Sequence, residues 1–207
     1  MVRLLGVRIV VVRVSSEYMQ ARRDQIARAA IDQFSSRGIH LTSMSNIIEA
    51  SGLSAGTIYN HFKGKNEIIA YVARTTFSGL FAEVEAAAST EPPPRPSELI
   101  GLIAARIASA DIPTGLLVQV WGEAVSNREV RDAANDVYEQ ARDALGEYCA
   151  AWLAAQGADR RAAERRAPAR AHVMVSLIYA QILQMSLIDG HDPAALASEL
   201  GELLDRT

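Results

Sequence analysis

The chain has 207 residues, 49% of them hydrophobic, so it can bury a substantial core in one large or two small domains. Its single cysteine, Cys149, excludes an internal disulfide and a paired-cysteine zinc or redox motif, and it favours a reducing, cytoplasmic setting. The net charge is −3, yet residues 1–66 hold nine Lys or Arg against four Asp or Glu, whereas residues 67–207 hold twelve against twenty. A basic segment on an acidic remainder is typical of a DNA-binding unit joined to a domain that does not bind DNA.

The first 19 residues mix an apolar patch with Arg3, Arg8 and Arg13. The longest apolar run there, from Ile9 to Val12, is too short for a signal-peptide core or a membrane span. We therefore expect residues 1–19 to form a flexible extension that precedes the first domain.

Three short helices are predicted next. Apolar residues at helical spacing indicate a helix over residues 22–36. The stretch LTSMSNIIEASGL predicts a second helix over residues 43–50, with Thr42 or Ser43 as its cap and Gly52 at its end. A third helix is expected over residues 54–61, capped by Ser54.

The remainder also has helical periodicity, and no β-rich segment is present. A long helix is expected from Lys65 onward, up to the loop EPPPRP. The later helices are expected at 97–110, 113–125, 127–156, 159–189 and 193–205. Their predicted caps are Ser97 for the first, a capping box in SNRE for the third and Asp192 for the last. In the region 159–189, Pro168 either kinks one helix or starts another. These elements predict an all-α protein with a three-helix domain over residues 20–66, which we call the head, and a larger helical domain over residues 67–207, which we call the body.

The stretch GLSAG, residues 52–56, matches the G-x-S-x-G pattern of hydrolases that use a serine nucleophile. That chemistry requires a strand before Ser54, whereas the preceding SMSNIIEA has helical spacing. The alternative is a helix-turn-helix, with Gly52 in the turn and Ser54 at the start of the second helix. We favour this second interpretation and expect no enzyme activity; a hydrolase using Ser54, or a reactive Cys149 thiol in place of a buried one, remains the alternative.

The segment RGIHLTSMSNIIEASGLSAGTIYNHFKGKNEII resembles the N-terminal domain of the TetR family of bacterial transcriptional regulators. The resemblance covers roughly residues 20–70 and includes Gly52-Leu53-Ser54, Tyr59, His61-Phe62 and Lys65. It implies a homodimeric repressor that binds a pseudo-palindromic operator and is released by a small molecule. An activator or a ligand-independent regulator is the alternative.

The resemblance also implies which residues meet DNA. Thr57, Tyr59, His61 and Lys65 correspond to phosphate-contacting positions, and their polar groups suit phosphate oxygens. Base contacts are expected from Ser45, Ala55 and Asn60, with Gly56 allowing close approach. The starts of the second and third helices add Thr42, Ser43 and Ser54.

Two further sets are expected in the body. The apolar stretch AHVMVSLIYAQILQMSLI and the last helix resemble the dimerisation pair of the family. The dimer interface is expected to contain Leu183, Leu187, Leu196, Leu200, Leu203 and Leu204. An apolar or amphipathic ligand is expected to meet Phe77, Phe81, Trp121, Tyr138, Tyr148, His172, Met174, Tyr179 and Met185. No cofactor or membrane partner is expected. No metal is expected either, because the four histidines, at 40, 61, 172 and 191, lack metal-ligand spacing.

Overall fold

The computed structural model describes residues 16–109 and 113–205, apart from the side chains of Leu196 and Glu202. In this part of the chain every regular element is a helix, which confirms the all-α prediction. None of these helices is both long and apolar enough to cross a membrane. The helices are α1 (Ser16–Arg37), α2 (Met44–Ser51), α3 (Ala55–His61), α4 (Lys65–Ala88), α5 (Pro96–Ala108), α6 (Thr114–Ser126), α7 (Arg128–Ala155), α8 (Arg160–Leu187) and α9 (Pro193–Leu204).

Local capping explains the turn between α2 and α3. The Ser43 side chain accepts a hydrogen bond from the Asn46 N–H, and the Asn46 side chain accepts one from the Ser43 N–H, which forms a capping box at the start of α2. Helix α2 ends at Gly52, whose φ of 67° lies in the left-handed region that favours glycine. Ser54 then starts α3, because its Oγ accepts from the Thr57 N–H at 3.2 Å. The predicted helix-turn-helix is confirmed.

The core of the head is continuous with the body. Phe34, Ile47 and Ile58 are fully buried in a cluster formed by α1, α2 and α3. The same cluster includes Leu116 and Val120 of α6, together with other residues of α4 and α7. Burial of such side chains contributes about 1.5–3 kcal/mol each, so the head and α6 are held together by apolar packing.

The body forms a second core, in which α7 packs against both α4 and α8. Helix α8 runs without interruption through Pro168, which answers the open question at this position: one helix continues. Cys149 is fully buried in this core, as expected for a small apolar side chain.

The start of α1 differs from the prediction. The helix begins at Ser16, so the last four residues of the predicted extension are helical, while residues 1–15 lie outside the described residues. The Tyr71 hydroxyl donates to Asp24 Oδ1 at 2.6 Å, and the Gln20 side chain donates to the Tyr71 hydroxyl. These bonds to α4 hold the first turns of α1, and the apolar spacing used for the prediction does not extend that far.

Two predicted caps are also wrong. Helix α5 begins at Pro96 with Arg95 as its cap, because Asp205, at the end of α9, accepts hydrogen bonds from the Ser97 N–H at 3.1 Å and hydroxyl at 2.6 Å. Helix α7 is capped by Asn127 alone, whose side chain accepts from two backbone N–H groups, and not by the SNRE capping box. In the first case a distant carboxylate satisfies the helix end, which local spacing does not reveal.

Candidate nucleic-acid interface and ligand cavity

The first turn of α3 faces solvent. Ser54, Ala55, Gly56 and Asn60 are exposed, and Tyr59 is 52% exposed despite its large aromatic ring. Gly56 has no side chain, so DNA can approach the backbone of α3 closely at this position. The space beside it is open, because a Cβ added at Gly56 would meet no atom within 4 Å. This exposed face brings together five of the predicted contact residues.

The Ser54 hydroxyl is engaged in capping. Its Oγ lies 2.9 Å from Thr57 Oγ1 and also accepts the Thr57 N–H. Helix α2, and not a strand, precedes this serine. The hydrolase interpretation is therefore wrong, since its requirement for a strand-to-helix turn is not met.

The start of α2 offers Ser43 and Ser45, which are exposed. Thr42 is only 1% exposed, and its hydroxyl donates to the carbonyl oxygens of Gly38 at 2.8 Å and Gln33 at 3.2 Å. This corrects the prediction of a DNA contact by the Thr42 side chain. The hydroxyl satisfies carbonyl groups at the end of α1, where a helix leaves them unpaired.

Lys65 has a structural role that its sequence position does not show. Its Nζ donates to the carbonyl oxygens of Ile39 at 2.8 Å and Thr42 at 3.0 Å, across 26 and 23 residues of sequence. The ammonium thus ties the loop between α1 and α2 to the start of α4. These two bonds use two of the three ammonium N–H groups, and the phosphate contact of Lys65 stays a prediction.

His61 lies at the end of α3 and is 9% exposed. Its Nδ1 is buried without a hydrogen-bond partner, which is uncommon for a buried polar atom. Only a small part of the ring is therefore accessible to a phosphate, whereas Tyr59 and Thr57 lie closer to the surface.

Arg23, for which no role was predicted, fixes the end of α3. Its Nη1 donates to the His61 carbonyl oxygen at 2.8 Å, and its guanidinium lies 4.2 Å from the Phe62 ring centroid and 4.7 Å from that of Tyr71. It also lies 3.8 Å from Glu67 Oε1. No local pattern marks this role, because all partners come from other helices.

A small apolar cavity of about 30 Å³ lies in the body between α4, α5, α7 and α8. Phe77, Phe81 and Tyr179 line it, as the sequence analysis expected. Trp121 stacks on Tyr179 with ring centroids 4.7 Å apart, and Tyr138 meets the same ring edge-on at 6.4 Å. The space holds about one water molecule, so a larger ligand requires these side chains to move.

The other predicted pocket residues lie elsewhere. His172 is exposed and its Nδ1 lies 2.9 Å from the Tyr138 hydroxyl, so it is linked to the aromatic group without lining the cavity. Tyr148 is fully buried and donates to the Pro94 carbonyl oxygen, while Met174 and Met185 line separate depressions. Spacing alone does not select the residues that line this cavity, because an apolar residue on a helix with several neighbours can face any of them.

Cys149 lies beside Met174, with the two sulfur atoms 3.6 Å apart. Burial raises the pKa of its thiol to about 12, so the reactive thiolate is not populated near neutral pH. Among the described residues, no group of three or more His, Cys, Asp or Glu is arranged to hold a metal ion.

Residues 26–72 match the family described as "Bacterial regulatory proteins, tetR family". The head and the start of α4 are therefore of the TetR-family type. The match coincides with the helix-turn-helix and the start of α4, where the sequence resemblance was also found.

Relatives of known name are similar to part of this chain. The HTH-type transcriptional repressor KstR2 of Mycolicibacterium smegmatis is 31% identical over 85 residues, 41% of each chain. The HTH-type transcriptional regulator TtgR of Pseudomonas putida is 40% identical over 58 residues, 28% of each chain. The aligned segments thus span less than half of either relative.

Solved structures show that the fold extends over both domains. GusR of Salmonella enterica superimposes with a TM-score of 0.64 at 22% identity, covering 94% of this chain and 100% of its own. FadR of Bacillus subtilis, solved in complex with stearoyl-CoA, gives 0.61 at 20% identity over 88% and 97% of the two chains. At such identities the likeness concerns the fold alone.

The predicted dimer residues divide into two groups by their exposure. Leu183, Leu187 and Leu203 are 43%, 65% and 74% exposed. Leu200 is 7% exposed and belongs to the body core of its own chain, so little of its side chain is available to a partner, and Leu204 is half-buried. The Leu196 side chain lies outside the described residues.

Proposed function

We propose that the protein is a cytoplasmic, dimeric transcriptional repressor that inserts α3 into the DNA major groove and releases DNA when a small apolar or amphipathic molecule binds in the body. The observation that carries this proposal is the exposed first turn of α3 in a helix-turn-helix head, capped by Ser54 and flanked by exposed polar side chains. The positive net charge of residues 1–66 supplies the long-range attraction to phosphates.

The exposed residues of the head suit two kinds of DNA contact. The Tyr59 hydroxyl and the side chain of Ser43 are placed to meet phosphate oxygens and set the register. Asn60 can form a paired hydrogen bond with adenine, and the Ala55 methyl group can touch thymine. The bulk of affinity then comes from phosphate contacts, since neither position 45 nor position 55 carries a cation.

Dimerisation is supported by exposed apolar side chains on α8 and α9. Val173, Leu183 and Leu187 are 47%, 43% and 65% exposed, and their spacing of ten and four residues places them along one side of α8. Leu203 of α9 is exposed near Val173, because both line the same depression. Large exposed apolar residues in a row are typical of an interface, and a twofold pair presents two copies of α3 to a pseudo-palindrome.

Substituting both Leu183→Glu and Leu187→Glu should convert a dimer into a monomer, because two carboxylates would be buried against the partner. Light scattering after size-exclusion chromatography measures the molar mass. Leu41→Glu is the matched control, since Leu41 is 79% exposed in the head and lies outside the proposed interface. A monomeric wild type, or a double variant that stays dimeric, contradicts this interface.

Helix α6 connects the cavity with the head. Trp121 stacks on the cavity residue Tyr179, and two residues earlier Gln119 Oε1 accepts the Ile39 N–H at 2.9 Å, next to the loop that Lys65 holds. A ligand that moves Tyr179 therefore acts on a helix that contacts the head. Release of DNA requires that this ligand bind a conformation that does not fit the operator more tightly than it binds the conformation that does.

Ligand binding in similarly folded proteins supports an apolar or amphipathic effector. The structures of FadR from Bacillus subtilis and Thermus thermophilus contain stearoyl-CoA and lauroyl-CoA. The cavity of the present protein is lined almost entirely by apolar groups, which suits a hydrocarbon portion.

The central claim is tested by gel-shift titration against the DNA that flanks the gene of this protein, at a stated salt concentration. We expect a clear preference over random DNA of the same length, and a weaker complex for Tyr59→Ala at unchanged thermal stability, because Tyr59 is exposed. Equal binding of wild type to both DNAs, or equal binding of the variant, contradicts the proposal.

A further inference from the structure

We propose that the effector enters the body between α4 and α5, as a single-chain amphiphile whose tail passes into the apolar cavity and whose anionic head group binds Arg106. This inference rests on the proposed ligand role of the cavity. It assigns the entrance, the charge of the ligand and the residue that recognises it.

The entrance follows from the packing of α4. This helix packs extensively on α7 but contacts α5 only slightly. A cleft of about 60 Å³ occupies the seam between α4 and α5, and Phe77 and Leu80 line both this cleft and the apolar cavity. These two side chains are thus the partition between the seam and the cavity, and rotamer changes suffice to connect the two spaces.

Gly79 keeps the seam open on the α4 side. It lies in the helix interior and lines the cleft, and a Cβ added there would meet no atom within 4 Å. Glycine lowers the stability of a helix interior relative to alanine. Because glycine has no side chain, the space beside Leu80 in the cleft stays empty.

The charge preference follows from Arg106, which lines the cleft from the α5 side. Its Nε donates to Glu83 Oε1 at 3.0 Å, and the two side chains are 50% and 47% exposed. An ion pair with this exposure contributes little, so the carboxylate of a ligand can replace that of Glu83 on the guanidinium.

The apolar cavity complements this arrangement. None of the described residues that line it is charged. A charged head group would lose its hydration inside without gaining a partner. The head group therefore stays at the seam with Arg106, while the tail displaces side chains around the cavity.

Calorimetric titration of the full chain with sodium dodecanoate, below its micellar concentration and without DNA, tests the charge assignment. We expect binding, with affinity lowered about threefold in Arg106→Gln and raised about threefold in Glu83→Gln, the scale of a half-exposed ion pair. The opposite directions of these two affinity changes distinguish recognition of the head group from a purely structural ion pair. If the pair only held α4 to α5, both variants would break it and shift affinity in the same direction.

Position 79 tests the entrance. Gly79→Leu should weaken dodecanoate binding by about tenfold or more by filling the seam, whereas Gly79→Ala should leave it within about twofold. Thermal denaturation of both variants checks that the fold is retained. Equal affinity in all variants, absence of dodecanoate binding, or equally tight binding of 1-dodecanol overturns the inference.

These titrations contain no DNA, so their outcome is separate from that of the gel shift. Operator binding without dodecanoate binding overturns the entrance and leaves the repressor proposal standing. Dodecanoate binding with the expected variant pattern supports the entrance even where the gel shift fails.

Discussion

Ala55→Glu is expected to weaken operator binding by about hundredfold, because a like charge placed against phosphates costs several kcal/mol. Ala55 is the first residue of α3 and is exposed, so the new carboxylate would point toward the DNA. The fold should not suffer. A negative charge in the first turn of a helix is favourable by about 0.3–1 kcal/mol, so the thermal midpoint should stay the same or rise slightly.

This combination of lost binding and retained stability distinguishes a recognition surface from a structural one. Ala154→Glu is the control: it changes the net charge equally, at an exposed position near the end of α7. Fluorescence anisotropy with labelled operator measures both variants at one salt concentration. If Ala154→Glu weakens binding as much as Ala55→Glu, the effect is one of net charge, and α3 is not the reading helix.

The elements that present Ala55 were predictable because their signals are local. Gly52 can adopt the left-handed conformation at the end of α2, and Ser54 can cap the helix that follows, whatever the rest of the chain does. The helix-turn-helix was therefore found from sequence, with α2 and α3 placed within one residue of their observed starts and ends.

Side-chain partners were less predictable, because they are set by packing between distant segments. Thr42 fits the sequence pattern of a helix start, yet its hydroxyl is used by carbonyls of α1. Arg23 has no local signature at all, although it contacts α3 and α4 together. Sequence spacing identifies the face of a helix but not the group that lies opposite.

The apolar cavity of the body shows the same division. Phe77, Phe81 and Tyr179 were expected and do line it, whereas Tyr148 was expected and instead bonds the loop that precedes α5. Helices α7 and α8 each pack against three other helices, so an aromatic residue on either has several candidate neighbours. The polar seam residues Arg106 and Glu83 carry no pattern that separates them from an ordinary surface pair.

Lys65→Met is expected to destabilise the protein by about 2 kcal/mol, the scale of hydrogen bonds made by a charged group. Methionine keeps much of the apolar stem but removes the ammonium that donates to the Ile39 and Thr42 carbonyl oxygens. Both part-buried carbonyl groups then lose this hydrogen-bond donor. For a chain of this size the thermal midpoint should fall by about 4–8 °C. Circular dichroism at 222 nm follows the helical signal during heating.

Lys63→Met provides the matched control, since Lys63 is exposed and only two residues away. It should leave the midpoint nearly unchanged. A phosphate-contacting lysine gives the converse result: its removal lowers the salt dependence of operator binding by about one unit of slope and leaves stability intact. If Lys65→Met shows that pattern and no fall in the midpoint, its ammonium serves the DNA. A fall in the midpoint with the salt slope unchanged shows that the ammonium instead holds the loop between α1 and α2.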